Sequence, residues 1–329
     1  GAPMANEKTT QTPKLLITRK LSDATEARAA RDYDVSRNPD DHVFTPDELL
    51  ERAHGMDAVL ASHSEHFTAD IMAKLPKSVK IIANHSVGTD HCDLTACKAH
   101  GVVVTNTPDV LSDATAEIAI LLMLGAARRA SEGDRMMRAG TWDFWSPSFM
   151  VGTQVTGKRF GVVGMGRVGQ VAARRARGFD MQVHYHNRSR LAPELEHGAI
   201  YHDTLDGLLA NADVLSLHCP ATAASVDLIN AERIEKLPDG AIVINTARGA
   251  LIDEDALIAA LKSGKLAAAG LDVYKTEPGG NAKFAELENI FMLPHIGSAT
   301  RDTRDAMGYR ALDNLDAFFA GKAPVDRVA

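Results

Sequence analysis

The sequence predicts an α/β protein made of two doubly wound domains, each a parallel sheet covered by helices, with a cleft between them. Three observations point there. Short apolar runs alternate with helix-patterned stretches along nearly the whole chain. One such run leads directly into a glycine-rich turn, Gly164-Met165-Gly166-Arg167-Val168-Gly169, and from it into a helix. The chain has 329 residues, beyond the ~100–200 of one typical domain.

In the N-terminal part, strands are expected over 15–18, 58–61, 80–84 and 102–106, with helices over 46–54 and 69–75 between them. A long helix over 112–138 follows, with Ser112 or Asp113 as cap and Glu117 in its early turns. Its dense apolar stretch over 118–124 calls for burial on several sides, against a second subunit among others. A second series then offers strands over 160–163, 181–186, 214–217, 241–245, 270–273 and 290–293. Helices over 168–177, 205–210 and 256–263 separate them, and a last helix spans 301–320.

Composition narrows the class. Apolar residues make up 45% and charged residues 24%, ordinary for a globular protein and unlike a disordered, collagen-like or disulfide-scaffold chain. The balance of 36 basic and 43 acidic residues, net −7, has no long run of either sign. It excludes a nucleic acid or a membrane surface as the main partner. Cys92, Cys97 and Cys219 form no CxxC pair and suit a reducing compartment. The longest apolar run, 118–127, is half the ~20 residues needed to span a bilayer. The N-terminus lacks the apolar core of a secretory signal, and residues 1–3 read as an appended scar with Met4 the native start. A cytoplasmic protein is expected.

The glycine turn carries the first chemistry. Gly164 permits a tight turn, Gly166 lets backbone approach a pyrophosphate, and Gly169 allows the helix to pack on the strand. The helix N-terminal amides then face the anion. At the end of the next strand stands His184-Tyr185-His186-Asn187-Arg188-Ser189-Arg190, with no carboxylate. A carboxylate there would take the ribose 2′-hydroxyl of NAD and repel a 2′-phosphate, whereas Arg188 can pair with that phosphate. Asn187, Ser189 and Arg190 can add hydrogen bonds or charge. NADP(H) is therefore expected as the preferred cofactor, with NAD(H) the alternative.

Arg248, Glu277 and His295 each stand just past an expected strand, on the edge where open α/β sheets bind ligands. Singly, they read equally well as a surface arginine, a loop glutamate and a turn histidine. Together with Ser86-Val87-Gly88-Thr89-Asp90-His91, Thr105-Asn106-Thr107-Pro108, Ala114-Thr115-Ala116-Glu117, Thr246-Ala247-Arg248-Gly249, Gly270-Leu271-Asp272-Val273, Glu277-Pro278 and Pro294-His295-Ile296-Gly297-Ser298-Ala299-Thr300, they give the chain a family likeness. It resembles the D-isomer-specific 2-hydroxyacid dehydrogenases, in particular their glyoxylate/hydroxypyruvate reductase branch, from about Asn84 to Val325.

That resemblance implies two Rossmann-like domains: a substrate domain from 1–107 completed by 298–329, and a dinucleotide-binding domain over 108–297 inserted between them. It implies Arg248 as the grip on substrate carboxylate and carbonyl, His295 as proton donor and Glu277 as its carboxylate partner. The backbone of Ser86, Val87 and Gly88 would take the substrate carboxylate. Asp272 would lie near the nicotinamide carboxamide and Thr115 near the cofactor phosphates. Arg167, Val168, Cys219, Thr246 and Gly297 complete the expected cofactor contacts. A homodimer held through the coenzyme domains and the segment after the long helix is implied as well.

The chemistry supports those roles independently. Reducing a 2-oxo acid delivers a hydride to C2 while the carbonyl oxygen gains a proton. Histidine, with a reference pKa of about 6.5, suits that proton transfer, and a neighbouring carboxylate favours its charged form. Arginine stays charged throughout and can both hold the carboxylate and polarise the carbonyl. Closure of the cleft would keep water from the hydride path.

Some residues stand outside this pattern. Asp109 occupies a place where many relatives carry glycine. Trp142 and Trp145 lie where the reductase branch uses a tryptophan at the dimer edge of the pocket, and either can be that residue or both can be packing. His63-Ser64-Glu65-His66 and His184-Tyr185-His186 lack the further ligands of a zinc site, and no metal is expected. Two other functions compete: an NAD-dependent D-2-hydroxyacid or 3-phosphoglycerate dehydrogenase, and a non-enzymatic dinucleotide-sensing protein. The missing acidic selector argues against the first, and the absence of extra tails against the second.

Overall fold

The computed structural model describes residues 12–329; the expected start at Met4 lies outside them. The chain divides into two compact units, one running up to Leu111 and completed by Ala299–Ala329, the other Ser112–Ser298. The first crossing falls a few residues after the expected 107/108. Thr107 N–H still bonds Ser86 O at 2.9 Å, and Asp109 still lies 3.6 Å from Arg310, so these residues stay with the first unit.

The first unit holds strands β1 (Lys14–Ile17), β2 (Asp34–Ser36), β3 (Ala58–Ala61), β4 (Ile81–Asn84) and β5 (Val103–Thr105), all parallel in the order β2-β1-β3-β4-β5. Its strands are apolar on both faces because both are covered. Leu15, Ile17, Leu60 and Ile81 pack with Ala311, Leu312 and Leu315 of the helix Arg301–Phe319. Leu16, Val59, Ile82 and Val104 pack on the other side with Phe67 and Met72. Short polar residues start the helices as N-caps: Thr45 accepts from Glu48 N–H at 3.1 Å, Thr68 from Ile71 N–H at 3.2 Å and Thr300 from Thr303 N–H at 3.0 Å.

The second unit holds β6 (Arg159–Val163), β7 (Gln182–His186), β8 (Ile200–Tyr201), β9 (Val214–Leu217), β10 (Ala241–Asn245), β11 (Leu266–Leu271) and β12 (Ile290–Met292), parallel in the order β12-β11-β10-β9-β6-β7-β8. Phe160, Val162, Ile242 and Ile244 bury one face against Leu122, Met123, Ala172 and Ala176. Leu215, Leu217, Val243 and Leu271 bury the other against Leu251, Leu257 and Leu261.

Two expectations are corrected. The single helix over 112–138 is two helices, Ser112–Ala127 and Ala130–Ala139, broken where Arg129 turns left-handed at φ 57°. Thr153 N–H takes the carbonyl of Ala127 at 2.8 Å, and glycine is required next to it because a Cβ on Gly152 would lie 2.2 Å from that oxygen. The strand expected over 270–273 is β11, which begins at Leu266. Its alanines have helical propensity, but the preceding helix stops at left-handed Gly264, and the close approach of Leu122 to Gly270 favours small side chains there. The edge strand β2 and the helix Asp23–Asp32 before it carry too little apolar periodicity to be read from sequence.

Candidate active site

In the second unit the strand order reverses between β6 and β9, the place where open α/β sheets bind ligands at their carboxyl ends. Gly164 leaves β6 at φ 89°, and a Cβ on it would lie 2.6 Å from the backbone nitrogen of Cys219, which leaves β9. Only glycine fits a left-handed position so close to a neighbouring backbone. Gly166 caps the helix Arg167–Arg177 with no side chain in the cap, and nothing lies within 4 Å of where its Cβ would be. Gly169 brings the helix down on the strand, its absent Cβ only 2.4 Å from Gly164 O.

Of the other residues expected along a dinucleotide, Asn187 meets this turn directly. Asn187 Oδ1 accepts from Met165 N–H at 3.2 Å and ties the end of β7 to the glycine turn. Arg188 and Ser189 are exposed, and Arg188 has no ion-pair partner among the described residues. Thr246 is buried, and its Oγ1 has no hydrogen-bond partner among the described residues. Thr115 is buried in the first turn of Ser112–Ala127, where a Cβ on Gly297 would lie 3.4 Å from its hydroxyl. A cleared glycine turn, an uncapped helix start and an orphan hydroxyl fit a dinucleotide cofactor.

The three candidate catalytic residues leave adjacent parallel strands: Arg248 follows β10, Glu277 follows β11, and His295 follows β12. Asn245 Nδ2 donates to Arg248 O at 2.9 Å while its Oδ1 accepts from Ala247 N–H at 2.9 Å, fixing the turn that presents Arg248. His295 Nδ1 lies 2.5 Å from Glu277 Oε1. His295 itself is left-handed at φ 55°, and Asp272 holds the segment after it, accepting from Ile296 N–H at 2.8 Å and Gly297 N–H at 2.9 Å. Burial raises the pKa of Asp272, against the lowering effect of those two N–H groups and of the His295 charge.

Tyr274 was not singled out in the sequence, although it knits these turns together. Its hydroxyl reaches Leu293 O at 2.8 Å and Leu271 O at 3.0 Å, and its N–H reaches Glu277 Oε2 at 3.4 Å. Its backbone also lies against Gly249, where a Cβ would meet it at 2.0 Å. An aromatic residue beside Glu277-Pro278 reads in sequence as packing, and nothing local signals these contacts.

In the first unit, the loop after β4 carries Ser86, Val87 and Gly88. Its carbonyls are engaged: Thr107 N–H bonds Ser86 O at 2.9 Å, Asn106 Nδ2 bonds Val87 O at 3.0 Å and Ser86 Oγ bonds Gly88 O at 2.8 Å. The N–H groups of Val87 and Gly88 have no partner among the described residues.

The family model for the NAD-binding domain of D-isomer-specific 2-hydroxyacid dehydrogenases matches residues 120–297. The chain belongs to that family. It is 44% identical to glycerate dehydrogenase of Hyphomicrobium methylovorum, over 94% of this chain and 96% of the relative. It is 40% identical to glyoxylate reductase of Thermococcus onnurineus, over 95% and 94%. It is also similar to the solved NADPH-dependent glyoxylate/hydroxypyruvate reductase of Sinorhizobium meliloti in complex with NADP and malonate, with a TM-score of 0.84, 31% identity and 97% of each chain covered. As a D-2-hydroxyacid dehydrogenase, the protein is an NAD(P)-dependent oxidoreductase acting between 2-oxo and 2-hydroxy acids.

Within this dehydrogenase, the residues outside the family pattern find physical places. Asp109 adopts φ 75°, the backbone region that favours glycine, and lies 3.6 Å from Arg310. Trp142 and Trp145 are exposed rather than packed in the core. Glu65 is buried, with Thr18, Ser62 and Ser64 as hydrogen-bond partners. Among the described residues no group of three or more His, Cys, Asp or Glu is placed to hold a metal, and no helix is long and apolar enough to cross a membrane.

Proposed function

We propose that this dehydrogenase reduces a small 2-oxo acid such as glyoxylate or hydroxypyruvate to the 2-hydroxy acid, with NADPH as the preferred cofactor. The observation that carries the reading is the His295–Glu277 pair at 2.5 Å, on strand ends beside the one that presents Arg248. The bound dinucleotide supplies the hydride. With Nδ1 committed to Glu277, His295 transfers its proton from Nε2 to the carbonyl oxygen, and Glu277 stabilises the charged imidazole before transfer. Arg248 holds the substrate carboxylate and polarises the carbonyl. The N–H groups of Val87 and Gly88 serve as carboxylate donors from the substrate domain, the unit up to Leu111 with Ala299–Ala329. Gly164, Gly166, Arg167, Val168, Gly169, Asn187, Cys219, Thr246, Asp272, Thr115 and Gly297 line the cofactor.

Exposed Arg188, with no acidic residue beside it after β7, supports NADPH over NADH. The Sinorhizobium relative, solved with NADP, supports the same choice. The exposed aromatic segment after the second helix of the broken pair, with Trp142, Phe144 and Trp145 all more than half exposed and Trp145 at 71%, supports a homodimer formed there. Free Cys92, Cys97 and Cys219 suit a reducing compartment, which supports a cytoplasmic enzyme.

Nicotinamide absorbance tests the reading directly, with glyoxylate and hydroxypyruvate offered with NADPH or NADH. Turnover preferring NADPH is expected, and His295→Ala should slow it by about 10²–10⁴-fold. Preference for NADH would overturn the cofactor assignment alone. Failure of both substrates with both cofactors would overturn the substrate assignment.

A further inference from the structure

Two arginines, Arg188 and Arg190, stand after β7 where a 2′-phosphate is discriminated, and sequence offers both to it. The structure treats them differently. Arg190 Nε donates to Glu196 Oε2 at 3.1 Å and its Nη2 to Glu196 Oε1 at 3.2 Å, a two-pronged pair with a buried carboxylate. The guanidinium also lies over the Tyr201 ring, 5.6 Å from its centre. Glu196 is held in turn: Tyr185 OH donates to its Oε2 at 2.5 Å, and Arg177 Nη2 to its backbone carbonyl at 2.9 Å. Tyr185, fully buried in β7, accepts from Leu191 N–H at 3.1 Å, closing the loop back onto its own strand.

We propose that Glu196 is a specificity-determining positioning residue: it withholds Arg190 from the cofactor and leaves Arg188 as the arginine that reads the 2′-phosphate. This rests on the NADPH reading above. A carboxylate that takes Nε and Nη2 side by side neutralises the guanidinium and fixes its plane, leaving Arg190 little net charge or freedom to offer a phosphate. The same carboxylate carries no net repulsion toward a phosphate while Arg190 neutralises it. The Arg190 and Tyr185 hydrogen bonds hold its pKa below the usual carboxylate range, so the pair is ionised at neutral pH. Arg188 is exposed on the same loop, which Asn187 anchors to the glycine turn through Met165 N–H at 3.2 Å.

The test is the ratio of NADPH to NADH affinity, measured as dissociation constants from nucleotide fluorescence at low and moderate salt. Arg188→Ala should lower the ratio by about tenfold or more, the loss of one charge-assisted phosphate contact. Arg190→Ala should leave the ratio within about twofold, any loss falling on both cofactors alike. Glu196→Gln keeps a partner for Tyr185 but releases Arg190, so the ratio should rise by about threefold or more, an effect that added salt diminishes. Collapse of the ratio in Arg190→Ala, or no rise in Glu196→Gln, would overturn the proposal. A wild-type ratio near one would instead overturn the NADPH reading. The Glu196→Gln arm still decides this proposal in that case, because a released arginine meets the 2′-phosphate whatever the starting preference.

Discussion

Both sheets end in a crevice where the strand order reverses, between β1 and β3 in one unit and between β6 and β9 in the other. The first is filled by the chain itself. Glu65, buried just after β3, accepts from Thr18 Oγ1 at 2.7 Å, Ser62 N–H at 2.9 Å and Ser64 Oγ at 2.9 Å, and Arg19 reaches Ser64 Oγ at 2.9 Å. The second is cleared by missing side chains, with Gly164 against Cys219 and open space at Gly166. Equivalent architecture therefore yields a self-satisfied polar plug in one place and a ligand cradle in the other. The residue types after the strands make the difference.

The strongest way to break that comparison is to refill the cleared crevice. Gly164→Ala places a Cβ against the Cys219 backbone at a left-handed position, and dinucleotide affinity should fall by about 100-fold or more. Titration calorimetry measures this, with circular dichroism to verify that the variant is folded. Undiminished affinity would mean that the crevice does not hold the cofactor.

Emptying the filled crevice is the converse experiment. Glu65→Ala strands the hydroxyl and amide donors of Thr18, Ser62 and Ser64, and stability should fall by about 3 kcal/mol. Dinucleotide affinity should stay within about twofold. A denaturant titration and a binding titration on the same variant separate the two outcomes, and a loss confined to binding would invert the comparison.

A smaller effect sharpens the picture at the end of β9. His218 bonds Ser216 Oγ at 2.7 Å, and burial pushes its pKa from 6.5 down to about 4. The unfolded chain thus binds the proton that the folded chain refuses, and stability rises with pH across that window. Between pH 7.5 and pH 5 this group should withdraw about 2 kcal/mol. His218→Gln should lose that part of the acid sensitivity in unfolding titrations at the two pH values. Equal acid sensitivity in both proteins would show that the imidazole is not held neutral.

Much of this was legible in order along the chain. β3, β9 and β10 fall where apolar runs predict strands, because a strand buried on both faces has nothing else to be. Gly164, Gly166 and Gly169 could be assigned separate duties because each duty needs a missing Cβ at a fixed offset from a strand end. The break at Arg129 was not legible, since its causes, Gly152 and Thr153, lie more than twenty residues away. The Glu196 tie was hidden for a similar reason: a glutamate six residues past an arginine, at the end of the short helix Pro193–Glu196, carries no local sign of pairing.

By itself the sequence determined which residue types stand after which strands, and with them the family, the glycine turn and the candidates Arg248, Glu277 and His295. Strand and helix periods repeat every few residues, and strand ends are where the polar residues must fall, so local pattern suffices. Only the tertiary structure decided which of those groups meet. His295 reaches Glu277 because β11 and β12 run side by side, and Arg190 is taken by Glu196 because the chain folds back beneath Tyr185. Such contacts depend on angstrom-scale placement of segments that the linear order keeps apart.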